Sequence, residues 1–342
     1  MTLTTRPLTK EDFHLYERMQ TQLEEDYMLR VFNRLTEGDN FLFGLFAQDT
    51  LIAVAGYTLF ADEFAILGRL RSDVRYRKKG YGSKIIEYVI EEALKNPSVQ
   101  WIGANTEQHN KPALSILKKF NMSPVATLYA AQTDDVSSLC HNQSVWHEVT
   151  SMDEKVKWVQ KTYLNPDFET NVFPIEAYYP FPARPSLFEN QLNKWRFFEN
   201  DNQTRYMMIG TEEKGKSYLH VVYPWSDFMK QSGFFKTVHS ELERAKVQES
   251  ADLIWMDLTE EEVASLPSKH PFELPSPWVL HGKSKEAFRT SSIVEAFSEA
   301  SHMLENLENE IDELEAEMKE KEQALEESRQ KFQDISDTLE EH

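Results

Sequence analysis

Residues 64–96 read FAILGRLRSDVRYRKKGYGSKIIEYVIEEALKN, and this stretch limits the fold more than any other. Ile66, Gly68, Leu70 and Ser72 alternate, which predicts a strand with those four on one face. Ile85, Ile86, Val89, Ile90 and Ala93 then recur at helical spacing, with Lys95 in the last turn and Pro97 beyond it. Between the two periods lies Tyr76-Arg77-Lys78-Lys79-Gly80-Tyr81-Gly82-Ser83. Ordered glycine costs backbone entropy, so two glycines in so short a turn mark a place where something approaches the backbone closely. The first N–H groups of a helix lack intrahelical partners and carry partial positive charge, which suits an anion. Gly80 and Gly82 remove the Cβ obstruction, and Arg77, Lys78 and Lys79 add positive field. The spacing is neither Gly-x-x-x-x-Gly-Lys-Ser/Thr nor Gly-x-Gly-x-x-Gly, which excludes a triphosphatase loop and a dinucleotide fingerprint.

The flanking residues continue the alternation of strand and helix. Strands are expected at 3–8, at 41–48 and 51–60 as a hairpin, at 99–105 and at 125–132. Helices are expected after Thr9 and over 110–120, where Pro112 falls in the first turn. This is an α/β domain with a mixed sheet, over residues 1–140.

Two blocks of this segment resemble the GCN5-related N-acetyltransferase (GNAT) family. SDVRYRKKGYG (72–82) is similar to that family's pyrophosphate loop, Arg/Gln-x-x-Gly-x-Gly/Ala. NKPALSILKKFNM (110–122) resembles its second block, with Asn110, Ala113, Ile116 and Lys119 at matching positions. The resemblance implies a GNAT-like fold and acetyl-CoA as co-substrate, with an amine as acceptor. Its pyrophosphate would lie at Lys78, Lys79, Gly80, Tyr81, Gly82 and Ser83, with Arg77 beside it. Its pantetheine would pair with Leu70, Arg71 and Ser72, and Asn110 would lie near the thioester arm. No metal is expected.

The match breaks at the chemistry. The family's thiolate-protonating Tyr aligns with Leu117, a frequent Glu position on the preceding strand is Asn105, and Gly-Phe after the helix is Asn121-Met122. Thiolate is a tolerable leaving group, and acid–base assistance contributes roughly 10²–10⁴-fold rather than the whole rate. Glu107, His109 and Tyr57 are therefore the candidate catalytic residues, with Asp62 and Glu63 as further titratable groups on the hairpin. Each has an ordinary structural role as its alternative: Glu107 a solvated loop carboxylate, His109 an exposed helix entry, Tyr57 a residue packed in the sheet.

Residues 145–287 repeat the order of the first segment without its glycines. A short strand and helix (145–160), a proline-rich loop (178–185), strands at 194–200, 205–211 and 217–224, a helix (234–246), a strand (252–258), a capped helix (259–266) and a strand (277–283) are expected. Either this is a second, degenerate GNAT-like domain or an unrelated α/β domain of similar order. Tyr178, Tyr179, Phe181 and Trp195 are core residues or walls of an amine pocket.

Residues 290–341 carry a heptad, with Leu304, Ile311, Met318 and Leu325 at a and Leu307 and Leu314 at d. A coiled-coil helix is expected, its seam covered by a second copy or another partner. The net charge of −20 concentrates here: residues 291–342 hold 17 acids and 4 bases, leaving −7 on the rest. That balance argues against nucleic-acid binding, which needs a basic footprint. One cysteine, Cys140, fits a reducing compartment, and no stretch of about 18 apolar residues predicts a membrane span. A cytoplasmic protein is expected. Two functions fit: N-acetyl transfer to a primary amine, or a catalytically weak acyl-CoA-binding regulatory or scaffold protein acting through its coiled coil.

Overall fold

The alternating and helical runs of the first half become β1 (Leu3–Pro7), α1 (Phe13–Glu17), α2 (Met28–Val31), β2 (Asn40–Ala47), β3 (Thr50–Phe60), β4 (Phe64–Ser72), α3 (Tyr81–Lys95), β5 (Trp101–Glu107), α4 (Lys111–Lys119) and β6 (Pro124–Thr133). The second half gives β7 (His147–Val149), α5 (Met152–Lys161), β8 (Val172–Glu176), β9 (Tyr179–Pro182), α6 (Ser186–Glu189), α7 (Gln191–Lys194) and β10 (Arg196–Glu199). It continues with β11 (Tyr206–Glu213), β12 (Ser217–Val222), α8 (Phe234–Val247), β13 (Leu253–Leu258), α9 (Glu260–Ser265) and β14 (Trp278–Ser284). The structure is a computed structural model and describes residues 2–141, 144–291 and isolated positions between 303 and 329.

Local chemistry explains the helix boundaries. Asn110 caps α4, accepting from Ala113 N–H at 3.3 Å, and Pro112 sits where a missing N–H costs nothing. Thr259 and Glu262 close a capping box at α9. In α3 the predicted apolar stripe, Ile85, Ile86, Val89, Ile90 and Ala93, is buried. Each large aliphatic there contributes roughly 1.5–3 kcal/mol of transfer free energy. One expectation needs correction. Half of the proline-rich stretch read as a loop, 178–185, is strand β9, which pairs with β8 as a ribbon. Pro174 and Pro180 face each other in it. A two-stranded ribbon has an open edge on each strand, where a missing N–H is tolerated.

The strand order is β1-β2-β3-β4-β5-β14-β6-β13-β12-β11-β10-β7. Its two ends mirror each other. In the first half β1 to β4 run antiparallel and β5 joins β4 in parallel; in the second, β7 and β10 to β12 run antiparallel and β13 joins β12 in parallel. At the centre the last strand of each half crosses over. β14 inserts antiparallel between β5 and β6, and β6 inserts antiparallel between β14 and β13. Gly103 and Gly282 pair across β5 and β14, and the Trp101 ring lies so close over both that a Cβ at either would stand about 2 Å from it.

One face of the first-half sheet carries α3. The opposite face carries the α1–α2 segment, over a core that includes Tyr16, Phe32, Leu42 and Val54. Toward β5 that second face meets the β8–β9 ribbon in an aromatic core of Phe64, Trp101, Phe173 and Phe181. Residues 1–285 form one unit.

Residues 286–342 cluster as a second unit. Most of the heptad lies outside the described residues, so the coiled-coil expectation does too. Of its seam positions, Leu307, Ile311, Leu314 and Met318 are helical and exposed. Among the described residues no helix is long and apolar enough to cross a membrane.

Candidate active site

The site begins with one extra residue in β4. Val54 pairs with Arg71, but Gly56 pairs with Gly68, so one β3 residue opposes two of β4. Arg69 takes φ 60° there. A bulge of this kind bends the strand and reverses which face each later side chain occupies. The single face expected for Ile66, Gly68, Leu70 and Ser72 is therefore split. Ile66 and Gly68 share the α1–α2 face with Thr58, while Ser72 pairs with Ala53 and returns with Leu70 to the α3 face. The bend also ends the parallel ladder: β4 and β5 pair from Phe64↔Trp101 to Leu67↔Ala104 and no further. Past that point the strands part. Asp73 N–H bonds Ile52 O on β3, so the N–H groups of Ser72 and Leu70 alternate toward the vacated β5 side.

On the α3 face the predicted phosphate loop converges on this opening. Gly80, with φ 78°, is the residue before α3, and among the described residues no side chain caps that helix. Lys84 N–H is the first to return a bond, to Gly80 O at 3.1 Å. The N–H groups of Tyr81, Gly82 and Ser83 thus point outward. A Cβ on Gly80 would meet nothing within 4 Å. One on Gly82 would stand 3.7–3.9 Å from Ile116 Cδ1, Ser72 Oγ and Leu70 Cδ2, so four segments meet at that point. Lys78 (φ 62°), Lys79 and Gly80 are exposed. The residues present fit a diphosphate: a cradle without Cβ atoms, free amides and two cations with no ion-pair partner among the described residues.

The other cations of the loop hold it in place. Arg77 donates to Thr21 O at 2.6 Å, tying the loop to the segment after α1. Arg75 forks onto the buried Asp73 at 2.8 and 2.6 Å. Those bonds hold the Asp73 carboxyl at about 2, against the upward push of burial. Asp73 also accepts from Gln20 N–H at 3.1 Å. Arg71, expected beside the pantetheine, directs its side chain to the opposite face. It pairs there with buried Asp26 at 3.2 Å, and Asp26 also accepts the Tyr16 hydroxyl. Asn110, expected near the thioester arm, has its amide engaged as the α4 cap and with Thr106 Oγ1 at 3.1 Å.

The catalytic candidates separate. Tyr57 is 3% exposed, stacked on Phe41 on the α3 face, and burial raises its pKa. Asp62 and Glu63 lie at the β3–β4 turn, about six to seven residues or roughly 20–23 Å of extended chain from Arg69 in the bulge. Glu63 is occupied there by Ser186 Oγ at 2.6 Å. Glu107 shares its face of β5 with Asn105 and Trp101, and its carboxylate meets His109 Nε2 at 2.9 Å. His109 Nδ1 lies 2.9 Å from Ser276 Oγ. Leu117 is buried, 5% exposed.

The α1–α2 face of the sheet holds one residue that sequence reasoning passed over, Arg69. Arg69 reaches over the sheet to Asn40 Oδ1 (2.8 Å) and Thr58 Oγ1. Asn105 donates to Tyr178 O at 2.6 Å, so the tip of the second-half ribbon stands over the first-half strand gap. Of the four aromatic candidates, Tyr178 and Tyr179 are half-buried at that tip, while Phe181 and Trp195 belong to the core. The available signal was two arginines, GRLR, inside an otherwise apolar strand.

Comparison with known proteins bears on residues 8–122, which match the acetyltransferase (GNAT) family model. A GCN5-related N-acetyltransferase structure from Sphaerobacter thermophilus aligns at 14% identity over 83% of this chain and 96% of that one, with TM-score 0.48. Arabidopsis thaliana NAA60 in complex with acetyl-CoA aligns at 18% identity over 37% of this chain and 90% of that one, TM-score 0.34. The ribosomal-protein-S18-alanine N-acetyltransferase from Escherichia coli aligns at 16% identity over 37% and 81%, TM-score 0.34. No curated protein matches the sequence significantly. The matched residues, 8–122, run from the end of β1 to the end of α4 within the mixed α/β sheet.

Proposed function

We propose that the protein is an N-acetyltransferase that uses acetyl-CoA and a primary amine. One observation carries the reading: the uncapped entry of α3, with Gly80 and Gly82, opens beside the place where β4 leaves β5. Acetyl-CoA when bound supplies the activated acyl group: the amine nitrogen bonds the carbonyl carbon, the C–S bond breaks, and the sulfur leaves with a proton that balances one lost from nitrogen. The chain's own work is binding, alignment and charge stabilisation. The N–H groups of Tyr81, Gly82 and Ser83 hold the diphosphate, with Lys78 and Lys79 at the rim. The β5-directed N–H groups of Leu70 and Ser72 polarise the acyl carbonyl. Glu107, paired with His109 on the α1–α2 face, accepts the proton that the incoming ammonium must lose. Tyr57, buried against α3, is left without a part.

The bulge puts donor contacts on one face and acceptor contacts on the other, and the strand gap joins them. Mirror-image strand order supports reading residues 145–287 as a degenerate second copy whose role is to complete the sheet and wall the acceptor side. The heptad supports self-association of the tail, and the cysteine usage a cytoplasmic setting.

A specific observation favours a second reading, acyl-CoA binding without efficient turnover. Leu117 replaces the expected acid and is buried, and the Asn105 amide is committed to Tyr178 O. Calorimetry with acetyl-CoA, followed by thiol release across an amine panel, separates the two. Binding with release supports the transferase, and binding without release on every amine supports the sensor. Absence of binding defeats both.

A further inference from the structure

On the α1–α2 face, the Arg69 guanidinium has only neutral hydrogen-bond partners among the described residues. Asn40 Oδ1 and Thr58 Oγ1 accept from one nitrogen, and the other terminal nitrogen, NH1, is buried without a hydrogen bond. Among the described residues no carboxylate lies within ion-pair distance, whereas its neighbour Arg71 has Asp26. Burial pushes the Arg69 pKa down, with Tyr179 and Tyr27 nearby working against that. A secluded cation without a counter-charge is unfavourable, and such groups are ordinarily paired.

What stands beside it points to a missing anion. A Cβ on Gly68, the residue before Arg69, would meet nothing within 4 Å, so the floor of this face is open there. Were the parallel ladder to continue past Leu67↔Ala104, Gly68 would face Asn105. The Asn105 carbonyl oxygen Oδ1 is also buried without a hydrogen bond, while its Nδ2 is fixed on Tyr178 O. Arg69, reaching from β4 over β3 to Asn40, and Asn105 on β5 thus stand on either side of the open floor at Gly68, each with one buried polar atom unsatisfied among the described residues. That is a complementary pair of signs for one molecule carrying an oxyanion and an N–H donor. The second-half ribbon bounds the patch. Tyr178 packs on Trp255 and Trp278, and Tyr179 packs on Phe60 and lies over Lys214.

We propose that the acceptor is an amine bearing a carboxylate, with Arg69 binding the carboxylate and Asn105 Oδ1 accepting from the amine. This rests on the transferase reading above and adds the acceptor's chemical class to it. Arg69 is a binding and specificity residue, and Gly68 keeps its place open. A planar guanidinium is suited to a carboxylate through two parallel bonds, which a lysine would not reproduce.

The test compares matched amines with and without the carboxylate: ornithine with putrescine, arginine with agmatine, tyrosine with tyramine, and 4-aminobutyrate with butylamine. Thiol release is measured for each, with acetyl-CoA affinity measured separately by calorimetry. The carboxylated member of at least one pair should be preferred by about tenfold or more in kcat/KM, the scale of a charge-assisted hydrogen bond. Arg69→Met should erase that preference chiefly through KM, leaving acetyl-CoA affinity unchanged. Gly68→Val, in case Arg69→Met does not fold, should lower turnover of the carboxylated amines with acetyl-CoA affinity intact. Equal or reversed preference in every pair overturns the proposal, as does a preference that survives Arg69→Met. Where acetyl-CoA binds and nothing turns over, the same amines are titrated into the acetyl-CoA-loaded protein; tighter binding of a carboxylated member supports the proposal, and its absence overturns it. Failure of acetyl-CoA itself to bind is a different result, which defeats the donor site.

Discussion

Two helices of this chain enter in the same way and meet opposite surroundings. α3 follows β4 and α8 follows β12, and each is preceded by a left-handed glycine, Gly80 at φ 78° and Gly233 at φ 79°. A Cβ on Gly80 would find open space, but one on Gly233 would lie 2.3 Å from Ser144 O and 3.1 Å from the Trp146 ring. Trp146 Nε1 bonds Ser232 O at 2.7 Å, and its backbone N–H bonds Thr237 Oγ1 at 2.8 Å. Phe234 and Phe235, the first two residues of α8, are buried. At α3 the same positions are Tyr81 and Gly82, half-buried at the opening. β12 pairs with β11 without a bulge, so its strand is not bent away. A shared helix entry thus stays open in one half and is filled by packed side chains in the other. What differs is the filling, and the backbone entry is the same.

The largest effect is expected at the strands the halves exchange. A chain ending at residue 140 keeps β6 but loses β14, leaving β5 and β6 without their shared neighbour. Such a fragment should show no cooperative thermal transition; a folded fragment that binds acetyl-CoA would refute this dependence. Next in size, Trp146→Ala should cost about 3–5 kcal/mol, as large-to-small changes of buried aromatics do, read as a lowered denaturant midpoint. It should confer no acetyl-CoA binding, because Phe234 and Phe235 still fill the entry of α8.

The glycines themselves sharpen the contrast. Gly82→Phe should lower acetyl-CoA affinity by about 100-fold or more, roughly 2.7 kcal/mol, with little change in Tm. Gly233→Ala should do the reverse, costing about 1–3 kcal/mol of stability for a left-handed alanine with a blocked Cβ and leaving donor affinity unchanged.

pH should act on the halves from opposite sides. Burial alone would lower the pKa of His220, but Glu212 at 2.6 Å and Asp257 at 3.0 Å outweigh it and raise it from 6.5 to about 9. Its stabilisation is complete below about 6.5 and is lost as pH rises through about 9. Asp73, held at about 2 by Arg75, contributes fully above 3.8 and loses its part as pH falls through about 2. His220→Gln should therefore flatten the alkaline limb of a stability–pH curve without moving the acid limb. The smallest effect belongs to the rim: Lys78→Ala and Lys79→Ala should each weaken donor binding by a few-fold, about 0.5–1 kcal/mol, and less at high salt.

Much of the first half was legible from residues near in sequence. Apolar runs located β2 and β3, alternation located β4, helical spacing located α3, and two short motifs singled out the glycine turn before α3, because each depends on residues a few positions apart. The ribbon β8–β9 was not, since proline argues against strand except where an edge lies open, and openness is a tertiary fact. Gly68 and Leu70 should share a face by alternation, yet the bulge leaves Gly68 on the α1–α2 face and turns Leu70 toward Gly82. Alternation cannot register an inserted residue until the partner strand is known.

By itself the sequence determined that a strand must end in a glycine turn whose following helix leaves amides free for an anion, since helix periodicity and the absence of Cβ atoms are written residue by residue. Tertiary structure alone decided that β14 and β6 change places, that Trp146 seals one helix entry while the other stays open, and that Arg69 has no counter-charge among the described residues. Those outcomes depend on which distant surfaces become neighbours, and pairing, burial and desolvation take their values only once the chain has closed on itself.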